Sequence, residues 1–262
     1  MTILDKIVAS TRTRVIEAER EVPLERVRDA ALAAPTGEFP FELSLRKPGL
    51  SFICEVKKAS PSKGVIAEHF PYLEIARDYA VAGADAISVL TEPEYFLGSG
   101  AYLREITREV AIPALRKDFT VTEYQVYESK LLGASAILLI AAILSDAELE
   151  RFRELAESLG LSALVETRSE PEVKRALAAG ARIVGVNARD LRTFEVDLGV
   201  IARLRQCVPE SVTFVAESGI RVAADVRALE SAHPDAALIG EAFMLAPDKS
   251  ALMQELRGAA AW

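Results

Sequence analysis

One junction recurs along the chain: a helical stretch closes on glycine and a short apolar run follows at once. It stands as AGADAISVL from Ala82, LGASAILLI from Leu132, LGLSALVE from Leu159 and AGARIVGVN from Ala179. Glycine suits the position just past a helix C-terminus, where the backbone turns left-handed and a side chain would be strained. The opposite helix ends are marked too. Thr122 with Gln125, Ser145 with Glu148 and Ser169 with Glu172 have capping-box spacing behind strand-like runs. Strand, cap, helix, glycine, strand is the repeating unit, and parallel strands are the ones that need a helical crossover.

Strand candidates begin near Ser51, Ala86, Ile112, Ala136, Ser162, Arg182, Thr213 and Ala236, each followed by a helical pattern. Eight such units in 262 residues predict an α/β fold, the (β/α)8 TIM barrel, whose usual length is about 250 residues. The competing open, doubly wound sheet is disfavoured because no Gly-x-Gly-x-x-Gly follows the first strand. Residues 3 to 33 read as two helices separated near Pro23, and 41 to 47 as a further short one. These are too few for a unit of their own. Residues 1–48 are therefore expected to form an N-terminal helical extension on a single barrel domain spanning 1–262.

Charge and cysteine usage narrow the class. A formal charge of −8 and a pI near 5.1 leave no basic footprint, so nucleic acid is not an expected partner. An anionic ligand must meet a local positive site, for which Lys57, Lys117 and backbone amides are available. The opening MTILDKIVAS is interrupted by charges and lacks the apolar core of a signal or membrane segment. A soluble cytoplasmic protein without membrane contact is expected. Cys54 and Cys207 are far apart and form no Cys-x-x-Cys pair, so neither a disulfide nor a metal site is expected.

The first strand carries the sharpest chemical signal, ICEVKKASPSKG at 53–64. Side chains alternate along a strand, so Ile53, Glu55 and Lys57 share one face and Phe52, Cys54, Val56 and Lys58 the other. An acid and a base are aimed at one point. Desolvating each costs several kcal/mol unless a partner compensates, so a buried Glu/Lys pair and a catalytic pair both remain open on this segment alone. In a barrel, chemistry gathers at the C-terminal strand ends. That end receives Glu55 and Lys57, Lys117 from the third strand, Glu166 from the fifth, Asn187 and Arg189 after the sixth, and Glu217 from the seventh. Singly, each has an ordinary reading: Lys117 as a surface charge, Glu166 as a partner of Arg189, Asn187 as a turn cap. Together, three carboxylates and two lysines at one mouth oppose fold stability and point to chemistry.

A second signal comes from the final quarter. Glu217, Ser218, Gly219 and Ile220 follow the seventh strand, and Gly240 with Glu241 follows the eighth. Barrels bind phosphate in that region through backbone N–H groups, so a phosphorylated small molecule is the expected ligand.

Ordered blocks along the chain carry a resemblance: ILDKI at Ile3, EVKKASPSKG at 55–64, SVLTE at 88, YFLGS at 95, LRKDF at 115, LLIAAIL at 138, LVE at 164, GVNARDL at 185, AESGI at 216 and LIGE at 238. Through them the chain resembles the indole-3-glycerol phosphate synthase family in its monofunctional form. The resemblance implies a carboxy-lyase of tryptophan biosynthesis with no cofactor and no metal. It also implies Lys117 as general acid on the substrate's C2′ carbonyl, with Glu55 nearby to orient and charge-balance it. Glu166 is implied as the acid/base partner for dehydration. Lys57 would contact the anionic end of the substrate, Asn187 would orient polar groups, and Arg189 would steady carboxylates. Ser60, Glu217, Ser218, Gly219, Gly240 and Glu241 match substrate and phosphate-side positions, and Pro61, Phe96, Phe119, Leu138 and Leu191 match the pocket for the anthranilate ring.

Glu241 or Ala242 stands where some relatives carry a small hydroxyl residue, so a carboxylate beside the phosphate should point away from it. The loop from Lys58 to Gly64 has the composition of a lid. Two rivals are weighed. A phosphoribosylanthranilate isomerase would want a cysteine acid/base at the end of the first strand, but alternation turns Cys54 away. A non-catalytic phosphate-metabolite binder would explain the glycine loops but not the lysines and glutamates. A monomer or weak homodimer is expected.

Overall fold

The computed structural model describes residues 2–190 and 193–260. Its strands are β1 (Ser51–Val56), β2 (Ala86–Leu90), β3 (Ala114–Lys117), β4 (Ala136–Ile140), β5 (Ser162–Thr167), β6 (Ile183–Asn187), β7 (Thr213–Glu217) and β8 (Ala236–Ile239). All run parallel and alternate with helices, and β8 pairs back onto β1 to close the barrel. The (β/α)8 architecture expected from the repeating junction is the one observed. The third strand starts at Ala114 and not near Ile112, because Pro113 has no N–H to give a ladder.

The junction glycines explain the turn into each strand. Gly83, Gly133, Gly160 and Gly180 stand one residue past their helix caps at φ +86°, +84°, +73° and +80°. The capping boxes are a different matter. The Ser145–Glu148 box forms, side chains and backbone exchanging bonds. Thr122 and Ser169 make no side-chain cap. Gln125 instead serves the preceding loop, accepting from Val121 N and donating to Phe119 O at 2.9 Å each. Glu172 likewise accepts from Arg168 N at 2.8 Å. Mouth loops compete for polar side chains that spacing assigns to helices.

Alternation sorts the core. On β1, Phe52, Cys54 and Val56 join the layer between sheet and helices, while Ile53 joins an interior cluster with Ala86, Leu115, Ala136, Leu164 and Val215. The extension is three helices, α1 (Ile3–Glu21), α2 (Leu24–Ala33) and α3 (Pro40–Leu45), with Pro23 separating the first two. Phe41 and Leu45 of α3, fully buried, plug the interior cluster at the strands' N-terminal end, where Ser51 Oγ donates to Ser44 O at 3.3 Å. Ile7 of α1 joins the same cluster from the opposite end, where it lines the mouth. Among the described residues no helix is long and apolar enough to cross a membrane.

Candidate active site

The ends of five strands build the site. Glu55 points inward from β1, and Lys57, just past the strand, returns its ammonium to Glu55 Oε2 at 2.5 Å. Lys117, the last residue of β3, donates to Glu166 Oε2 on β5 at 2.9 Å and to Glu217 Oε2 on β7 at 3.4 Å. Asn187, ending β6, donates its amide to Glu166 Oε1 at 3.1 Å and accepts Arg189 N at 2.9 Å. It is thus both a turn cap and a support for Glu166. Glu55, Glu166, Glu217 and Asn187 are all buried.

Burial sets the acids apart. It disfavours the charged Lys117 ammonium, yet the carboxylates of Glu166, Glu217 and Glu55 outweigh it and hold the lysine protonated well beyond the ordinary range. Burial raises Glu217, Glu166 and Glu55 add like charge, Lys117 compensates only in part, and the net result is a carboxyl pushed up to about 8. Glu166 feels the same desolvation, but Lys117 and hydrogen bonds from Lys117, Asn187 and Glu217 bring it below the usual glutamate value. At neutral pH Lys117 therefore faces one ionised carboxylate, Glu166, and one neutral acid, Glu217.

Glu55 stands to Lys117 as a neighbouring charge and not as a hydrogen-bond partner. The carboxylates in hydrogen-bond reach of Lys117 are Glu166 and Glu217; Glu55 pairs with Lys57 and acts on Lys117 through its charge. Arg189 donates its guanidinium to Phe194 O at 3.1 Å, bracing the loop after β6. Cys54 faces away from the site and is fully buried, and that burial pushes its thiol pKa up.

An apolar wall and a polar rim flank this centre. Phe96 and Phe119 stand with ring centroids 6.1 Å apart. Each is set by a buried carboxylate: Glu92 Oε2 accepts from Phe96 N at 3.0 Å and Asp118 Oδ1 from Phe119 N at 2.9 Å. Leu138, Ser60 and Pro61 line the same cavity, as do Arg189, Ser218, Gly219, Gly240 and Glu241. Leu191 lies outside the described residues. After β7 the chain reverses through Ser218 at φ +68° and Gly219 at φ +85°, a conformation that a non-glycine residue such as Ser218 seldom adopts. Glu241 turns its carboxylate to Lys63 at 3.3 Å. Lys63 sits in the loop after β1, which folds into a small hairpin pairing Ala59–Ser60 with Gly64–Val65. Sequence reasoning missed Ile3, Leu4 and Ile7, which α1 adds to the cavity. Their i, i+1, i+4 spacing on one helix face was the available signal.

A buried acid–base centre at the mouth of a (β/α)8 barrel, with an aromatic wall on one side and tight backbone turns on the other, defines a barrel enzyme for a small anionic substrate. The chain belongs to the indole-3-glycerol phosphate synthase family, whose model matches residues 4–256. It is 52% identical to the indole-3-glycerol phosphate synthase of Ruminiclostridium cellulolyticum over 259 residues, 98% of this chain and 100% of that one. It is 50% identical to that of Endomicrobium trichonymphae over 256 residues, 97% and 99% of the two chains. Among solved structures, a 3-hexulose-6-phosphate synthase superposes with a TM-score of 0.65 at 18% identity, covering 81% of this chain and all of its own. A thiamine phosphate pyrophosphorylase from Pyrococcus furiosus gives 0.61 at 20%, covering 84% and 97%. At such identities the likeness shows the fold alone.

Proposed function

We propose that the chain closes the indole ring of 1-(2-carboxyphenylamino)-1-deoxyribulose 5-phosphate, releasing carbon dioxide and water to give indole-3-glycerol phosphate, with Lys117 as general acid. The observation that carries the assignment is Lys117 itself: its amine stands 2.9 Å from Glu166 and 3.4 Å from Glu217, in a cavity that also holds the phenylalanine pair and the turns after β7 and β8.

The substrate has an aromatic carboxylate at one end and a phosphate at the other. Phe96, Phe119, Leu138 and Pro61 take the ring, and the backbone amides near Ser218, Gly219, Gly240 and Glu241 take the phosphate, with Lys57 meeting the anionic end. This spans the reacting carbons across Lys117. As the ring carbon bearing the carboxylate attacks C2′, the carbonyl oxygen gains charge and Lys117 protonates it. Loss of the carboxylate as carbon dioxide returns its bonding electrons to the ring. The C2′ hydroxyl then leaves as water with a proton from the Lys57 ammonium, and ionised Glu166, steadied by Asn187, takes the proton given up at C1′. The ion pairs that keep Lys117 charged also resist release of its proton, so the incoming carbonyl oxygen must displace Glu166 from the ammonium.

The test is the fluorescence rise of the indole product on mixing with this substrate, with Lys117→Met alongside. Turnover that collapses in the variant while substrate still binds is the expected outcome. A folded wild type without turnover would sink the assignment.

A further inference from the structure

Gly185 lies on the inner face of β6, between Ile183 and Asn187. Glycine within a strand forfeits packing and marks a place where another group comes close. The group here is a carboxylate. A side chain on Gly185 would overlap Glu217 Oε1 and would stand 3.2 Å from Leu164 Cδ1. In the ladder Asn187, not Gly185, pairs with Glu217, and Gly185 pairs with Val215. Glu217 therefore leans back from its own level into the space over Gly185. Seated there, its Oε1 is buried with no hydrogen-bond partner. Its other oxygen stays 3.4 Å from Lys117 Nζ, against 2.9 Å for Glu166.

We propose that Gly185 is a positioning residue for the acid–base centre: its missing side chain is the niche that draws Glu217 back from Lys117 and leaves the close contact to Glu166. The proposal rests on the reading of Lys117 and Glu166 as the acid–base pair. A niche without donors is also a seat for a protonated acid, in keeping with burial and like charge raising Glu217 while Glu166 stays ionised. Two acids in unequal surroundings divide the labour of one site. The device recurs after β8, where a side chain on Gly240 would overlap Glu55 and come within 2.9 Å of Lys57 Nζ.

The experiment compares kcat and KM of the wild type, Gly185→Ala, Glu217→Ala and the double variant. The Glu217 carboxyl is followed across pH by infrared difference spectroscopy. Gly185→Ala is expected to lower kcat about 100-fold, the scale of a misplacement near 1 Å, with KM changed less than about three-fold. Without the Glu217 carboxyl the same substitution is expected to cost less than about three-fold, since coupled sites lose additivity. An equal loss in both backgrounds would reduce Gly185 to packing against Leu164 and overturn the proposal, as would an unchanged kcat in Gly185→Ala. Should that variant fail to fold, recovery of folding in the double variant supports the niche, and failure of both overturns it. The infrared band needs no turnover. In the wild type it should titrate near pH 8 and be displaced in Gly185→Ala. An inactive wild type would defeat the assigned reaction, and a band unmoved by the substitution would defeat the niche.

Discussion

At the N-terminal end of the barrel, Asp85 accepts from Phe52 N at 2.8 Å and from Arg257 Nη2 at 2.7 Å, and Asp235 accepts from Phe214 N at 2.7 Å. Glu42 lies between Arg46 and Arg182 at 2.9 and 3.0 Å. At the C-terminal mouth, Glu166 and Glu217 share Lys117, and one Glu217 oxygen has no donor. Asp85 and Asp235 below own backbone donors and stitch neighbouring strands together, and Glu42 is held by its two arginines although its Oε2, like Glu217 Oε1, has no hydrogen-bond donor. Those above are crowded, so their protons are held unequally and stability is lost. The same residue type therefore serves cohesion at one end and, on the proposed function, chemistry at the other, and the sharing of one lysine by two carboxylates marks the difference.

The largest effects should separate the two ends. Lys117→Met is expected to lower kcat about 1,000-fold, inside the range of a general acid, equivalent to about 4 kcal/mol of barrier. Phe41→Ala empties the plug at the other end and is expected to cost about 3–5 kcal/mol of stability, measured by urea unfolding, with KM unchanged in the folded fraction. Asp85→Ala removes a backbone partner and its ion pairs with Arg257 and Lys47 together, for about 2–3 kcal/mol. Either lower-end variant shifting KM several-fold at unaltered stability would break the division between the ends.

A smaller effect tests the crowding itself through pH. Glu217 is raised to about 8 from an ordinary glutamate value of 4.5. Between these values the folded chain keeps a proton that the unfolded chain has released, so stability falls as pH rises through the window. Glu166 is shifted the other way; its contribution is held above the ordinary glutamate value and lost as pH falls through its lowered one. Glu217→Gln should flatten the decline and raise the melting temperature at about pH 8 more than at about pH 5, as thermal melts would read. A constant difference across the window would mean that the upper acids are as well satisfied as the lower ones.

How far this contrast was legible in the sequence depends on the range of the contact concerned. The barrel was legible because Gly83, Gly133, Gly160 and Gly180 each answer a local demand for positive φ, and the strand ends then placed Glu55, Lys117, Glu166, Asn187 and Glu217 at one mouth. Partner choice was not legible. Whether Lys117 meets Glu55 or Glu166 is decided by how strands lean against each other around the ring. That α1 lends Ile3, Leu4 and Ile7 to the cavity depends on a helix docking across the mouth, and its amphipathic pattern says only that one face is covered.

The smallest test lies at two helix starts near the mouth that share one sequence pattern. Ser145 Oγ accepts Glu148 N at 3.3 Å and Glu148 Oε2 accepts Ser145 N at 2.8 Å, so Ser145→Ala should cost about 1 kcal/mol. Thr122 has the same spacing to Gln125, yet its Oγ1 is buried without a partner, and the Gln125 side chain is engaged by the loop that carries Phe119. Thr122→Val keeps the shape and removes an unpaired hydroxyl. It should be neutral or gain up to about 1 kcal/mol, read as the shift in urea midpoint at unchanged slope. A loss equal to that of Ser145→Ala would give the hydroxyl a partner after all.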